Sequence, residues 1–91
     1  SRKKRYDFER PNVSDNFHLL RQSGIQHFRN YDYEGAIEDF LDALEIRPKS
    51  PALHFNLACC YSIIEDDERA FLHLEEAVEN GFNDLEYFVP K

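Results

Sequence analysis

Four histidines, two cysteines and a dense set of carboxylates are the side chains here able to hold a metal or move a proton. His18, His27, His54 and His73 include no pair at the i, i+4 spacing by which a helix offers two imidazoles to one metal ion. His54 and Cys59 stand five positions apart, so on a helix of ~3.6 residues per turn they diverge by about 140°. The runs Glu65–Glu68 and Glu75–Glu79 read as solvated outer faces rather than acid–base pairs. There is no Gly-rich phosphate loop and no nucleophile motif. The expectation is a chain with no catalytic residue, no metal site, no cofactor and no small-molecule substrate.

Cys59 and Cys60 are adjacent, and neighbours on a helix point to different faces, so they do not readily bridge each other. They read as reduced, core-filling thiols in a reducing compartment, which sets the expected location as cytoplasmic. Charge is divided along the chain. Residues 1–10 hold five basic against two acidic side chains (+3), and the remainder holds six against sixteen (−10), within a net charge of −7 over 91 residues. A basic arm on an acidic body follows. The body is a poor ligand for nucleic acid, which demands clustered positive charge. Arg2, Lys3, Lys4 and Arg5 suit a polyanion contact by the arm alone. No run approaches the ~18 apolar residues of a membrane helix, and no apolar stretch follows the basic start as a secretory signal would. A start at Ser1 and a stop in mid-pattern at Lys91 suggest a segment of a longer protein.

The elements that position these residues show a helical period. Residues 1–13 carry none and form an extended or disordered lead-in. Ser14 or Asp15 is placed to cap a first helix whose stripe is Leu20, Gly24, His27 and Phe28. Asn30 to Asp32 make a turn. Tyr33 leads a second helix burying Ala36, Ile37, Phe40, Ala43 and Leu44, and Pro48 ends it by disfavouring helical geometry in the residue before it. Ser50 followed by Pro51 is a cap and a first-position proline. The third helix then runs to about Ile64 with Leu53, Leu57, Ala58 and Tyr61 inward. Glu65 to Asp67 make the next turn, and a fourth helix over Asp67 to Asn80 buries Ala70, Phe71, Leu74, Ala77 and Val78. Gly81 suits a left-handed cap, and Asp84 can start a last turn carrying Leu85, Phe88 and Val89.

The stretch Gly24 to Pro48 recurs 34 residues on. Ala36, Phe40 and Ala43 become Ala70, Leu74 and Ala77, while Gly24, Ile25 and Phe28 become Ala58, Cys59 and Ser62. A helix pair repeating at that period marks a stacked array. Helices approach to about 8 Å only over small residues, so Gly24 is expected to face Ala36, and Ala58 to face Ala70. Phe40, Tyr61 and Leu74 fill the wedges between pairs.

This pattern resembles the tetratricopeptide repeat. In residues 17–50 the matching positions are Leu20, Gly24, Tyr33, Ala36, Phe40, Ala43 and Pro48. In residues 51–84 they are Leu57, Ala58, Tyr61, Ala70, Leu74 and Ala77. Ser23, His27, His54 and Phe82 depart from it, Phe82 replacing the closing proline. The resemblance implies an all-α fold: two tetratricopeptide-like helix-turn-helix repeats stacked as a short right-handed solenoid over residues 14–91. Residues 85–91 would form a short C-terminal capping turn.

In this family the first helices of the units line a concave groove that takes an extended or helical peptide. The resemblance therefore implies groove positions at His18, Arg21, Gln22, Ile25, Phe28 and Arg29. The second unit would add Ala52, Phe55, Asn56, Cys59, Ser62 and Ile63. That is an apolar floor with two arginines at one side and an amide at the other. The alternative is that Phe28, Phe55 and Ile63 pack against the lead-in or a following unit. Relatives that hold chaperone C-terminal carboxylates use a basic and amide clamp. Arg21 and Asn56 match two of its positions, while Ile25, Glu86 and Pro90 do not. The run KKRYD also resembles the closing helix of a J domain, the mark of a co-chaperone. The expected function is a non-catalytic protein–protein interaction module whose partner is a protein or peptide carrying acidic groups. A self-associating assembly module is the alternative.

Overall fold

A computed structural model describes residues 13–82. The basic arm with its J-domain-like run and the capping turn at 85–91 lie outside the described residues. Four helices follow one another: α1 (Val13–Arg29), α2 (Tyr33–Ile46), α3 (Pro51–Ile63) and α4 (Asp67–Glu79). No strand occurs among the described residues, and no helix among them is long and apolar enough to cross a membrane. α1 packs on α2, α2 on α3 and α3 on α4.

Two turns carry the 34-residue repeat in atomic detail. Tyr31 and Glu65 take left-handed backbone angles, φ 65° and 67°. Around them the Asp32 amide donates to the His27 carbonyl and the Asp66 amide to the Tyr61 carbonyl, both at 2.8 Å. These bonds satisfy helix-end carbonyls that otherwise lack a donor. The same aspartates then open the next helix. Asp32 accepts from the Gly35 amide at 3.0 Å and Asp66 from the Arg69 amide at 3.2 Å, a pair of N-caps 34 positions apart. One residue thus closes a helix and starts its partner, which keeps each pair antiparallel over a minimal turn. Asp66 also receives the Arg69 guanidinium at 2.6 Å, and that bond holds its carboxyl below the usual range.

Ser50 caps α3 from Leu53 at 3.3 Å, with Pro51 in the first turn. α2 stops at Ile46, before Pro48, through a non-helical Arg47 at φ −129° and ψ 86°. α4 ends on Gly81 at φ 103°, where the Phe82 amide donates to the Ala77 carbonyl at 2.8 Å. At the N-terminal end the helix begins at Val13. Ser14 and Asp15 are thus inside its first turn rather than ahead of it.

The core is Phe17, Leu20, Ala36, Phe40, Ala43, Leu53, Leu57, Cys60 and Tyr61. Two packing expectations are corrected. A Cβ built on Gly24 would stand 2.5 Å from Cε1 of Phe40, and its nearest neighbours are that ring's atoms rather than Ala36. The missing side chain makes room for the flat of an aromatic ring crossing from α2. On α4, Phe71 and Val78 are 61% and 47% exposed. α4 packs on α3 alone among the strongly contacting helix pairs, so its apolar stripe is wider than one neighbour can cover.

Candidate peptide-binding groove

Two adjoining depressions lie along α1 and α3. One, of about 390 Å³, is lined by Phe28, Ala58, Cys59, Ser62, Ile63 and Leu74. The other, of about 210 Å³, is lined by Ile25, Phe28, Phe40, Phe55, Asn56 and Cys59. Phe28 and Cys59 belong to both. Ile25, Phe28, Phe55, Asn56, Cys59, Ser62 and Ile63 are therefore brought together as the register implied. His18, Arg21, Gln22, Arg29 and Ala52 line neither depression. His18 is exposed with its ring edge-on to Phe17, 5.7 Å between centroids; Gln22, Arg29 and Ala52 are exposed and Arg21 is half-buried.

The floor is shaped by contacts that sequence spacing alone did not show. Phe28 sits edge-on against Tyr33 at 5.4 Å. Phe55 is stacked on Phe82, within the same expected unit, at 4.6 Å and 13°, so one of its faces is already covered. Phe40, Ala58 and Leu74 join the lining although their spacing marked them only as core. A core side chain that reaches a surface hollow has the same helical period as one that does not. The thiols behave as apolar groups: burial raises Cys59, and burial followed by its neighbour pushes Cys60 up to about 12, so both stay protonated at neutral pH.

Polar clusters elsewhere tie helices together. Asp39, 1% exposed on α2, accepts from Ser23 Oγ at 2.5 Å and lies 3.5 Å from His27 Nε2. His27 Nδ1 is 2.9 Å from Asp32. Between α3 and α4, His54 Nε2 stands 2.8 Å from the Pro48 carbonyl and its Nδ1 3.0 Å from His73 Nδ1. A carbonyl only accepts, so His54 Nε2 carries a hydrogen. In the uncharged pair His54 Nδ1 then accepts from His73. Tyr61 stacks on the other side of His73 at 5.5 Å and 9°. No group of three or more His, Cys, Asp or Glu placed to hold a metal occurs among the described residues.

Charge is segregated by helix. α2 and α4 hold ten carboxylates against Arg69, whereas α1 holds Asp15 against Arg21 and Arg29, and α3 has no charged side chain. Most of the hollow's lining thus comes from the two helices that are neutral or basic in an acidic molecule, with Phe40 of α2 and Leu74 of α4 adding apolar side chains from the acidic pair.

Comparison with known proteins returns the tetratricopeptide repeat model over residues 40–72, a stretch centred on α3 that straddles the two expected units. The chain is 33% identical over 67 residues to a chloroplastic protein of Arabidopsis thaliana, covering 70% of this chain and 20% of that protein. It is 31% identical over 71 residues to Sperm-associated antigen 1 of Mus musculus, covering 76% of this chain and 8% of that one. The chain therefore spans a fifth or less of the curated relatives it matches, and no solved structure matches it significantly. With two helix pairs repeating at 34 residues and the repeat model matched across their junction, the chain belongs to the tetratricopeptide repeat family.

Proposed function

We propose that this chain is a docking module that holds a peptide or protein segment in the hollow between α1 and α3. Tetratricopeptide repeats are typically non-catalytic interaction domains, which supports the general class. The observation that carries the finer reading is the pair of adjoining depressions sharing Phe28 and Cys59. Apolar contact comes from Ile25, Phe28, Cys59 and Ile63, while Arg21 and Arg29 pair with carboxylates of the partner. Asn56 contributes an amide to the floor. The division into repeats at 17–50 and 51–84 and a cytoplasmic setting for the free cysteines belong to the same proposal.

The test is selection from a displayed peptide library followed by calorimetry with Ile63→Glu and Arg29→Ala. Both positions are exposed, so the variants retain the fold. Enrichment of acidic–apolar peptides that lose affinity for both variants supports the reading. Peptides indifferent to both substitutions overturn it.

A second reading, self-association, is favoured by one observation: Phe71, Leu72 and Val78 leave α4 with an exposed apolar surface. Light scattering over a concentration series decides it, since a constant monomer mass eliminates stacking.

A further inference from the structure

The outer face of α4 carries a second surface, opposite in chemistry to the hollow. Phe71 and Val78 stand seven positions apart on one stripe, two turns of helix, and are 61% and 47% exposed. Leu74 lies between them on the same edge and also lines the larger depression, so the stripe borders the hollow. Glu68 and Glu75 recur at the same seven-residue interval, about 40° further round the helix, and both are exposed. With Phe71 and Val78 at position a of a heptad and Leu74 at d, the two glutamates fall at e, the flank that meets the charges of a facing helix. The other flank, Ala70 and Ala77, is turned inward.

Charge selects what covers this stripe. α4 holds five carboxylates, and Arg69, its only Lys or Arg, is taken by the Asp66 carboxylate at 2.6 Å. A second α4 laid antiparallel on the stripe would bring Glu68 and Glu75 against their own copies. The basic helix of a second copy, α1, exposes one large apolar side chain among its described residues, Leu19, too little to cover two turns. We infer that α4 takes a basic amphipathic helix of another protein. Its apolar edge lies on Phe71, Leu74 and Val78, and its lysines or arginines meet Glu68 and Glu75. The hollow between α1 and α3 favours acidic–apolar segments, so the two surfaces sort their partners by charge.

The probe is a synthetic helix of about three heptads with Leu at a and d and Lys at e and g, whose like charges keep it from pairing with itself. A twin peptide carries Glu at e and g. Each is titrated by calorimetry into the full chain and into its Glu68→Lys, Glu75→Lys variant, altered only at exposed positions. The lysine peptide is expected to bind the native chain and to lose about tenfold in affinity on the variant, where two exposed pairs turn from attraction to repulsion. The glutamate peptide should show the reverse preference. Phe71→Ser should weaken the lysine peptide, and Ile63→Glu, in the hollow, should not; a loss there as large as that of Phe71→Ser puts the peptide in the hollow and overturns the inference. No binding, or equal binding to native and charge-reversed chains, overturns it too. So does equal binding of a scrambled peptide of the same composition, which shows attraction of charge alone. A chain mass that rises with concentration in light scattering and falls back in Phe71→Ser makes a second copy the occupant, and that result also overturns it.

Discussion

Ser23, His27, His54 and Phe82 are the positions where this chain leaves its family's pattern, and each meets a partner in the folded molecule. Ser23 and His27 serve Asp39, His54 meets the Pro48 carbonyl and His73, and Phe82 covers Phe55. The His54–His73 tie makes stability depend on pH. Burial, and then His54, hold the His73 imidazole below its ordinary 6.5 despite Glu76. The unfolded chain therefore takes up that proton first as pH falls, and stability declines from about pH 6.5 down to the folded-state value. In thermal melts between pH 7 and 5.5, His73→Phe is expected to lose less stability than the native chain; an equal or steeper loss refutes the assignment. Gly24 gives a second residue-scale prediction. Alanine there gains about 1 kcal/mol of helix propensity. It also forces a methyl group onto the buried Phe40 ring, at about 1–3 kcal/mol of overpacking. Urea denaturation should show Gly24→Ala net destabilised and Gly24→Leu more so, whereas a more stable Ala variant contradicts the contact.

At the scale of the element, the turns hold more of the architecture than the helices' own propensities do. Tyr31 and Glu65 occupy left-handed backbone without being glycine, a strain of about 1–2 kcal/mol for an L-residue. Glycine relieves it while adding about 0.4–1 kcal/mol of unfolded-state entropy. Tyr31→Gly should accordingly stabilise by about 0.5–1 kcal/mol, read as a higher urea midpoint. Asp32→Ala removes the α2 cap and should cost about 1 kcal/mol, with the loss of the His27 contact adding to it; Asp66→Ala should move the midpoint in the same direction. A neutral Asp32→Ala would show that the turn is set by packing alone.

On the scale of the whole molecule, the exposed apolar surface of α4 and the hollow between α1 and α3 are separable. Phe71→Lys removes apolar surface that is 61% exposed, so stability should change by no more than about 0.5 kcal/mol. Peptide affinity should stay unchanged, and any concentration-dependent mass should fall. A large loss of stability would mean that Phe71 is covered in solution.

Helix existence and turn placement were legible in the chain itself, because they depend on neighbours within four residues. Pro48, Ser50–Pro51 and Gly81 punctuate it, and the 34-residue echo of small residues identifies the pairs. The family resemblance placed twelve positions along one face, and seven of them line the two depressions. Tertiary structure decided which ring enters the space left by Gly24, that Phe71 and Val78 stay bare, and that His54 finds His73 nineteen positions away. Helical period states which face a residue occupies but not how far the neighbouring helix extends over it; that distance is set by side-chain volumes meeting across the interface.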